Sequence, residues 1–420
     1  MKVSLSIHKE MICNYIWRTL QLFGKEGVVF FIFFISAKLL SPYDFGVYNY
    51  SLAFIFFLIL FGDFGISTAT SKYVAEYNLT NKDKLRGVLF NSGLIILILT
   101  VFVSLIAVVY EHYFLKDGQT YIIYLLPLIF LSPMTSLYDG IYRGLKRFKQ
   151  LAVISGIIGF VSIFIAWFLI KNYGLKGALL SQDIFYLIML IGLGSHYCDF
   201  HFKINKNVMR EIGRYSVIVG IAGLGLFIFT RINILILGYF NLITEIGYYE
   251  IINKIFAILI IPFSIFSQII SPNITEIFAK KQFKDLLHKY IKYLSASFVV
   301  GVLLALFIII ILPLILRSFL PSYCNSEIIF ALRLLSIILI TQSMSNIASV
   351  GFSTPSGHAK VNMFFLLGFG IINVPLSILL VKFYGFYGIV YSTLIIKGLA
   401  DISFIYYYFN LIKNEKNKSE

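Results

Sequence analysis

Charge is what this chain has least of. Only 13% of its 420 residues are Asp, Glu, Lys or Arg, against 59% hydrophobic and 17% aromatic, and the mean hydropathy is +0.87. A soluble fold of this length has no interior able to hide that much apolar surface, and several runs exceed the roughly 18 residues that mark a membrane span. Cysteine is nearly absent: Cys13, Cys198 and Cys324 are all there are. On the predicted topology Cys324 lies on the opposite side from the other two, which excludes a structural disulfide framework. No GxxxxGK[ST] loop occurs, so the chain is not expected to be an ATPase. A cleavable signal pattern is also missing, because Arg18, Lys25 and Glu26 interrupt the first apolar run. Room for a soluble domain is lacking too. The longest connections, near residues 68–85, 196–212 and 271–290, hold about twenty residues each.

What is present is a series of apolar segments. Hydropathy and its breaks predict an all-α, polytopic membrane protein with about twelve spans: 14–40, 45–67, 86–109, 120–141, 150–170, 174–195, 213–238, 246–270, 291–316, 327–352, 360–381 and 385–411. The net charge of +15 could suggest nucleic acid, but its placement argues against that partner. Of the 35 Lys and Arg, 23 fall on the N-terminal segment, the even-numbered connections and the C-terminal tail, and six fall on the opposite side. This is the positive-inside bias, so both termini are expected to be cytoplasmic and the basic loops to contact anionic membrane lipids. His196, Cys198, Asp199 and His201 form a polar cluster without an established zinc spacing, and no metal or cofactor is expected there. The sequons Asn78-Leu79-Thr80 and Asn273-Ile274-Thr275 fall in connections read as cytosolic.

The second half of the chain repeats the first. Asp44-Phe45-Gly46-Val47-Tyr48 returns 201 residues later as Glu245-Ile246-Gly247-Tyr248-Tyr249. Tyr173-Gly174-Leu175-Lys176-Gly177, followed by Ser181, returns 211 residues later as Tyr384-Gly385-Phe386-Tyr387-Gly388, followed by Ser392. Gly140 and Lys149 pair likewise with Gly351 and Lys360. Transporters are often built from two such units. Each half holds six spans, an even number that returns the chain to its starting side. The halves, 1–200 and 201–420, are therefore expected to be parallel six-helix lobes related by an axis along the membrane normal. Pro127, Pro133, Pro262, Pro313 and Pro375 lie within spans, where kinks are tolerated.

Ionisable groups at membrane depth are the sharpest functional signal, since each costs roughly 2.5–3.5 kcal/mol at a helix centre and must face a cavity or a partner. Arg18, Lys25 and Glu26 fall in the first span, Asp63 near the end of the second, Asp183 in the sixth, Arg231 in the seventh, Lys254 in the eighth, and Lys397 with Asp401 in the twelfth. Lys397 and Asp401 are spaced to pair with each other. Spans 1 and 2 correspond to spans 7 and 8, so Arg18, Lys25, Arg231 and Lys254 are expected to line a cleft between the halves. Against Glu26 and Asp63 these four cations leave it net positive, which suits phosphate or pyrophosphate.

With those residues in hand, the chain resembles the polysaccharide flippases of the multidrug/oligosaccharidyl-lipid/polysaccharide (MOP) superfamily, in particular the O-antigen repeat-unit (Wzx-type) translocases. The resemblance rests on Leu40-Ser41-Pro42-Tyr43-Asp44-Phe45-Gly46-Val47-Tyr48, on Gly62-Asp63-Phe64-Gly65-Ile66, and on Leu237-Gly238-Tyr239 followed by Ile246-Gly247-Tyr248-Tyr249. It implies twelve helices in two lobes, as in multidrug exporters of the MATE type, and a central cationic cavity. It further implies a cargo of undecaprenyl-pyrophosphate-linked oligosaccharide moved across the cytoplasmic (inner) membrane for O-antigen or other surface polysaccharide. Arg18, Lys25, Arg231 and Lys254 would hold the anionic head, and Glu26 would tune charge or meet sugar hydroxyls. Glu26, Asp63 and Asp183 are candidates for coupling to a proton or sodium gradient. Many relatives carry an acid where this chain has Arg231-Ile232-Asn233, which argues against ion coupling in that stretch. A polysaccharide polymerase and a chain-length regulator are the protein partners such a flippase implies. Two alternatives are a multidrug or cation antiporter of the same superfamily, which would favour an acidic cavity, and a membrane polymerase or ligase, which would need longer outer loops.

Overall fold

The computed structural model describes residues 17, 20, 21, 24, 27–114, 121–197 and 204–419. Among them there is no β-strand. The helices are α1 (Gly27–Leu39), α2 (Pro42–Asp63), α3 (Ile66–Thr80), α4 (Lys82–Phe114), α5 (Leu126–Gly144), α6 (Phe148–Ser195), α7 (Lys206–Tyr239), α8 (Ile243–Ala279), α9 (Phe283–Ile310), α10 (Leu312–Phe319), α11 (Ser326–Asn346), α12 (Ala359–Tyr384) and α13 (Phe386–Ser419). A π-helical turn over Ile347–Ser353 continues α11. In hydrocarbon, helix is the natural solution, because it satisfies every backbone polar group within one segment.

Among the described residues, ten helical segments are long and apolar enough to cross a membrane, and the chain is a multi-pass membrane protein. One of the ten is α6, whose 48 residues would extend about 72 Å if straight, more than twice the roughly 30 Å hydrocarbon core. It is not straight. Gly174 takes φ 54° and ψ −130°, a region open essentially to glycine alone. There the chain doubles back, so that the backbone at Gly177 lies against the carbonyl of Leu169. The second half repeats this hairpin: Gly385 takes φ 57° and ψ −132° between α12 and α13, and Gly388 lies against the carbonyl of Leu380. The repeated Tyr-Gly-x-x-Gly sequence is thus a helical hairpin without a loop. Dividing α6 at Gly174 gives eleven of the twelve expected spans among the described residues, and α1 covers the described part of the remaining one, 14–40.

The connections read as loops near 68–85 and 271–290 are mostly helix. Both α3 and the end of α8 carry the chain past the apolar segments on hydrogen-bonded backbone. The start signals are local. Ser41 accepts from the Asp44 amide (3.1 Å) ahead of Pro42, Asn81 accepts from the Lys84 amide (3.0 Å), and Asn325 from the Ile328 amide (2.9 Å). Of the five prolines expected to kink spans, Pro133, Pro262 and Pro375 lie inside helices, whereas Pro127 and Pro313 sit in the first turns of α5 and α10.

The chain divides into two compact units, Met1–Leu224 and Gly225–Glu420, with the boundary inside α7. In the first, α5 crosses α3 through a small-residue stripe: Gly140 lies on the carbonyl of Ser67 and Gly144 on that of Ser71. In the second, α8, α9, the π-helical turn and α13 enclose a core around Tyr290, Phe352 and Tyr408. Tyr290 Oη donates to the Ile405 carbonyl (2.9 Å) and Tyr408 Oη to that of Phe352 (3.1 Å), so neither ring hydroxyl is stranded.

The hairpins yield a paired expectation. A methyl at Gly177 or at Gly388 has no space between the two helices, so Gly177→Ala and Gly388→Ala should each lower stability by about 1–3 kcal/mol. Gly156→Ala, at a helical glycine with open space around it, should be neutral or stabilising by about 0.5–1 kcal/mol. Thermal unfolding of the detergent-solubilised variants measures all three.

Candidate functional site

Within the second unit, two of the ionisable residues expected at membrane depth, Arg231 and Lys254, lie where α7 meets α8. Arg231 Nη1 lies 3.1 Å from Glu250 Oε2, and Asn253 Nδ2 donates to Glu250 Oε1 (3.4 Å). Each carboxylate oxygen therefore has a donor. The Glu250 side chain is only 7% exposed while that of Arg231 is 49% exposed, so the acid is the buried partner and the guanidinium reaches outward from it. A charge so placed in a membrane protein needs such a partner. Lys254 follows one turn after Glu250 and is half-buried. The charge tally from sequence did not include Glu250, which neutralises Arg231. Its spacing from Arg231, 19 residues and across a helix turn, gives no periodic signal.

Two residues beyond Arg231 a buried polar network begins. Asn233 Nδ2 donates to Tyr249 Oη (3.0 Å) and Thr393 Oγ1 (2.9 Å), while its Oδ1 accepts from Asn373 Nδ2 (2.9 Å). Ser377 Oγ lies 3.2 Å from Asn233 Oδ1 and 2.9 Å from Ser392 Oγ. All of these residues are buried, and together they join α7, α8, α12 and α13. Sequence reasoning missed Asn233, Asn373 and Thr393; the only available signal was amides within apolar runs.

The first unit has the counterpart of one link in this network. Gln182 Nε2 donates to Tyr48 Oη (2.7 Å), and Tyr249 with Thr393 (3.0 Å) occupies the equivalent places in the repeat. Next to Gln182, Asp183 is 8% exposed, and its Oδ1 has no hydrogen-bond partner among the described residues. Asp63 is differently placed. Its Oδ1 accepts from the Ser67 amide (2.9 Å) and hydroxyl (2.6 Å) across the break at Phe64 (φ 39°) and Gly65 (φ 80°). It thereby caps α3, a structural duty that the sequence reading did not foresee. Asp139, also missed, pairs with Arg143 Nε (2.7 Å) and accepts from Gln21 Nε2 (3.4 Å). Asp401, expected to pair with Lys397, accepts from Thr341 Oγ1 on α11 (3.1 Å).

Three of the expected cavity residues, Arg18, Lys25 and Glu26, lie outside the described residues, as do Cys198, Asp199 and His201 of the polar cluster. The other expected residues fall into separate groups: Arg231 and Lys254 on neighbouring helices of the second unit, Asp63 and Asp183 at distinct places in the first. An apolar crevice of about 410 Å³ lies between α2 and α4, walled by Phe57, Phe61, Phe64 and Phe102.

A helical unit that recurs within one chain, with polar groups bonded between its membrane helices, has the architecture of a membrane transporter, and comparison with solved transporters bears this out for the fold. An inward-facing multidrug resistance MATE family transporter of the MOP superfamily superposes with a TM-score of 0.77 at 16% identity, over 96% of this chain and all of that one. An outward-facing structure of a MATE family transporter gives 0.60 at 15% identity, over 97% and 96%. A MOP superfamily transporter from Pyrococcus furiosus, described as having a binding pocket of reverse polarity, gives 0.57 at 13%, also over 97% and 96%. The fold is that of the MOP transporters. Residues 12–278 match the family described as "Polysaccharide biosynthesis protein", and the chain belongs to that family. It is also 27% identical over 399 residues to an uncharacterized membrane protein of Methanocaldococcus jannaschii, a match covering 88% of this chain and 91% of the relative.

The Arg231–Glu250 pair can be tested by a double-variant cycle. Arg231→Met leaves a buried carboxylate without its cation and should destabilise by about 1–3 kcal/mol, more than Glu250→Met, the other single variant of the cycle. Arg231→Met combined with Glu250→Met should recover most of that loss, as read from unfolding midpoints. Additive losses would show that the two side chains act independently.

Proposed function

We propose that the protein is a flippase for lipid-linked oligosaccharide, moving undecaprenyl-pyrophosphate-linked repeat units from the cytoplasmic to the outer leaflet of the cytoplasmic membrane by alternating access. One conjunction carries this reading: a chain of the polysaccharide biosynthesis family has a transporter's fold. A transport step in polysaccharide synthesis has to move glycan that has been assembled on a membrane carrier. No covalent chemistry is assigned to the protein. Both termini are placed in the cytoplasm, following the bias of Lys and Arg. O-antigen is the leading glycan class, a polymerase and a chain-length regulator are the expected partners, and membrane lipid holds the polyprenyl tail.

Arg231 and Lys254, with Arg18 and Lys25, are assigned to the anionic head of the carrier, and Glu26 to charge tuning or sugar hydroxyls. Arg231 is half-exposed beside Glu250, so a diphosphate could draw the guanidinium away at the expense of the ion pair. Binding and release would then exchange one acidic partner for another rather than strand a charge. For coupling to a proton or sodium gradient, Asp183 is the leading candidate, being buried with an unpartnered oxygen. Asp63 ranks below it because its carboxylate caps α3. The multidrug alternative draws on the MATE family transporters that share the fold, which are distant in sequence.

Reconstituted vesicles decide between these readings. Polyprenyl-diphosphate oligosaccharide labelled on the glycan should become accessible to an impermeant quencher only in vesicles holding the protein, and Lys25→Ala and Arg231→Ala should slow this by at least about tenfold, the equivalent of one lost charged contact. Asp183→Asn should remove the response to an imposed proton or sodium gradient while leaving downhill flipping intact. Export of cationic dyes without movement of the glycan lipid would replace this function by multidrug export.

A further inference from the structure

At the ends of α3, α4 and α7 in the first unit lies a second set of side chains, none of which the proposed head-group site uses. Glu211 anchors it. Lys84 Nζ lies 2.9 Å from Glu211 Oε1, and Tyr77 Oη donates to Glu211 Oε2, so α3, α4 and α7 are held together by one carboxylate. Beside this anchor is an open cavity of about 540 Å³. A neighbouring one of about 620 Å³ shares its Asn81 and Lys84 wall. Both volumes lie in the roughly 300–1,000 Å³ range of small-molecule sites.

The charges of the two cavities decide what they suit. Lys72, Lys84 and Lys206 face Glu76, Asp83 and Glu211, three of each sign. A phosphate would therefore meet no net attraction, unlike in a site built for anions. What remains is a dense array of donors and acceptors. Asn81 and Asn205 spend their Oδ1 atoms capping α4 and α7, which leaves their amide N–H groups as donors. An aromatic ring accompanies the array: half-buried Tyr73 lines the cavity, with the buried Tyr77 ring 5.6 Å away, the Tyr215 ring 6.3 Å away and Lys72 Nζ 4.7 Å from the Tyr73 centroid. Neutral overall charge, paired donors and acceptors, and a Tyr73 ring able to cover C–H surface match a polyhydroxylated ring.

We infer that this double cavity is a glycan-docking vestibule, which takes the neutral sugars of the cargo while the diphosphate is held elsewhere. The sugar identity of the ligand rests on the proposed function; the chemistry of the cavity does not. With the basic segments assigned to the cytoplasm, the vestibule opens on the side from which cargo is loaded.

The test is saturation-transfer NMR on the full-length protein in phosphatidylcholine nanodiscs, with maltotriose, chitotriose and mannotriose as probes at millimolar concentration. Transfer from at least one trisaccharide is expected. Binding should weaken by about tenfold in Tyr73→Ala and persist in Tyr73→Phe, since the ring face and not the hydroxyl makes the contact. Glu76→Ala, at an exposed position, should weaken it by about threefold through one lost acceptor without perturbing the fold. Absence of transfer from every trisaccharide, equal transfer in wild type and the alanine variant, or displacement of sugar by inorganic pyrophosphate or short-chain phosphatidylglycerol would each overturn the assignment. Sugar binding in a protein that flips no glycan lipid would uphold the vestibule and sink the proposed function. Flipping with no sugar bound here would do the reverse.

Discussion

Hydrocarbon offers no hydrogen bonds, and an unpaired backbone or side-chain polar group in it costs several kcal/mol. That constraint accounts for features of this protein that otherwise look unrelated. It dictates helix across the apolar segments, and it forces even the reversals between helices to be economical. At Gly174 and Gly385 the chain turns within a single residue of glycine-only geometry, and Gly177 and Gly388 let the returning helix lie directly on the one before it. The same constraint governs side chains. Glu250 is buried with a donor on each oxygen, and Asn233 uses both its amide and its carbonyl to tie four helices together.

The repeat shows which of these solutions belong to the scaffold. The hairpin glycines agree to within a few degrees in φ and ψ, and a side-chain hydrogen bond joins equivalent positions in each unit, Tyr48 to Gln182 and Tyr249 to Thr393. The departures fall on polar residues. The first unit breaks its second helix at Phe64–Gly65 and caps the fragment with Asp63, where the second unit runs α8 unbroken through Ser264. The second unit places Glu250 where the first has Asn49, whose amide donates back to its own helix at the Phe45 carbonyl. Duplication supplied two similar frames, and charge was then distributed unequally between them.

Much of the frame was legible in the sequence because its signals are dense. Apolar runs reveal the membrane segments, eleven of them seen at full length among the described residues, and the Tyr-Gly-x-x-Gly repeat marks both hairpins, although its spacing does not disclose the turn geometry. The site was less legible, since membrane charges were counted one by one whereas the structure uses them in pairs. In the sequence Arg231 stands as a lone cation, whereas the structure sets Glu250 beside it on the next helix, and Asp63 stands as a lone acid, whereas Ser67 donates to its oxygen. The Arg231–Glu250 pairing has no periodic signature because the partners lie on different helices, and the i,i+4 spacing of Asp63 and Ser67 does not disclose the break it spans. The helical extensions near 68–85 and 271–290 were missed for a related reason: their polarity suggested loops, while helix propensity and capping continued the helices into water.

That polarity also explains why the most developed set of polar side chains in the first unit lies at its rim. At mid-membrane a charged or polar group needs a partner or a wet cavity, so few can be spared for a ligand. At the ends of α3, α4 and α7, water shares that burden. Lys72, Lys84 and Lys206 can stand among Glu76, Asp83 and Glu211, of which Glu211 is committed to Lys84 and Tyr77. A cargo with a charged head and a neutral, hydroxyl-rich body meets both environments. The head can compete for a buried ion pair such as Arg231–Glu250, whereas the body is better served by a wet, neutral, tyrosine-lined vestibule. Separating the two tasks spares the membrane interior from carrying the hydrogen-bonding groups that a glycan needs.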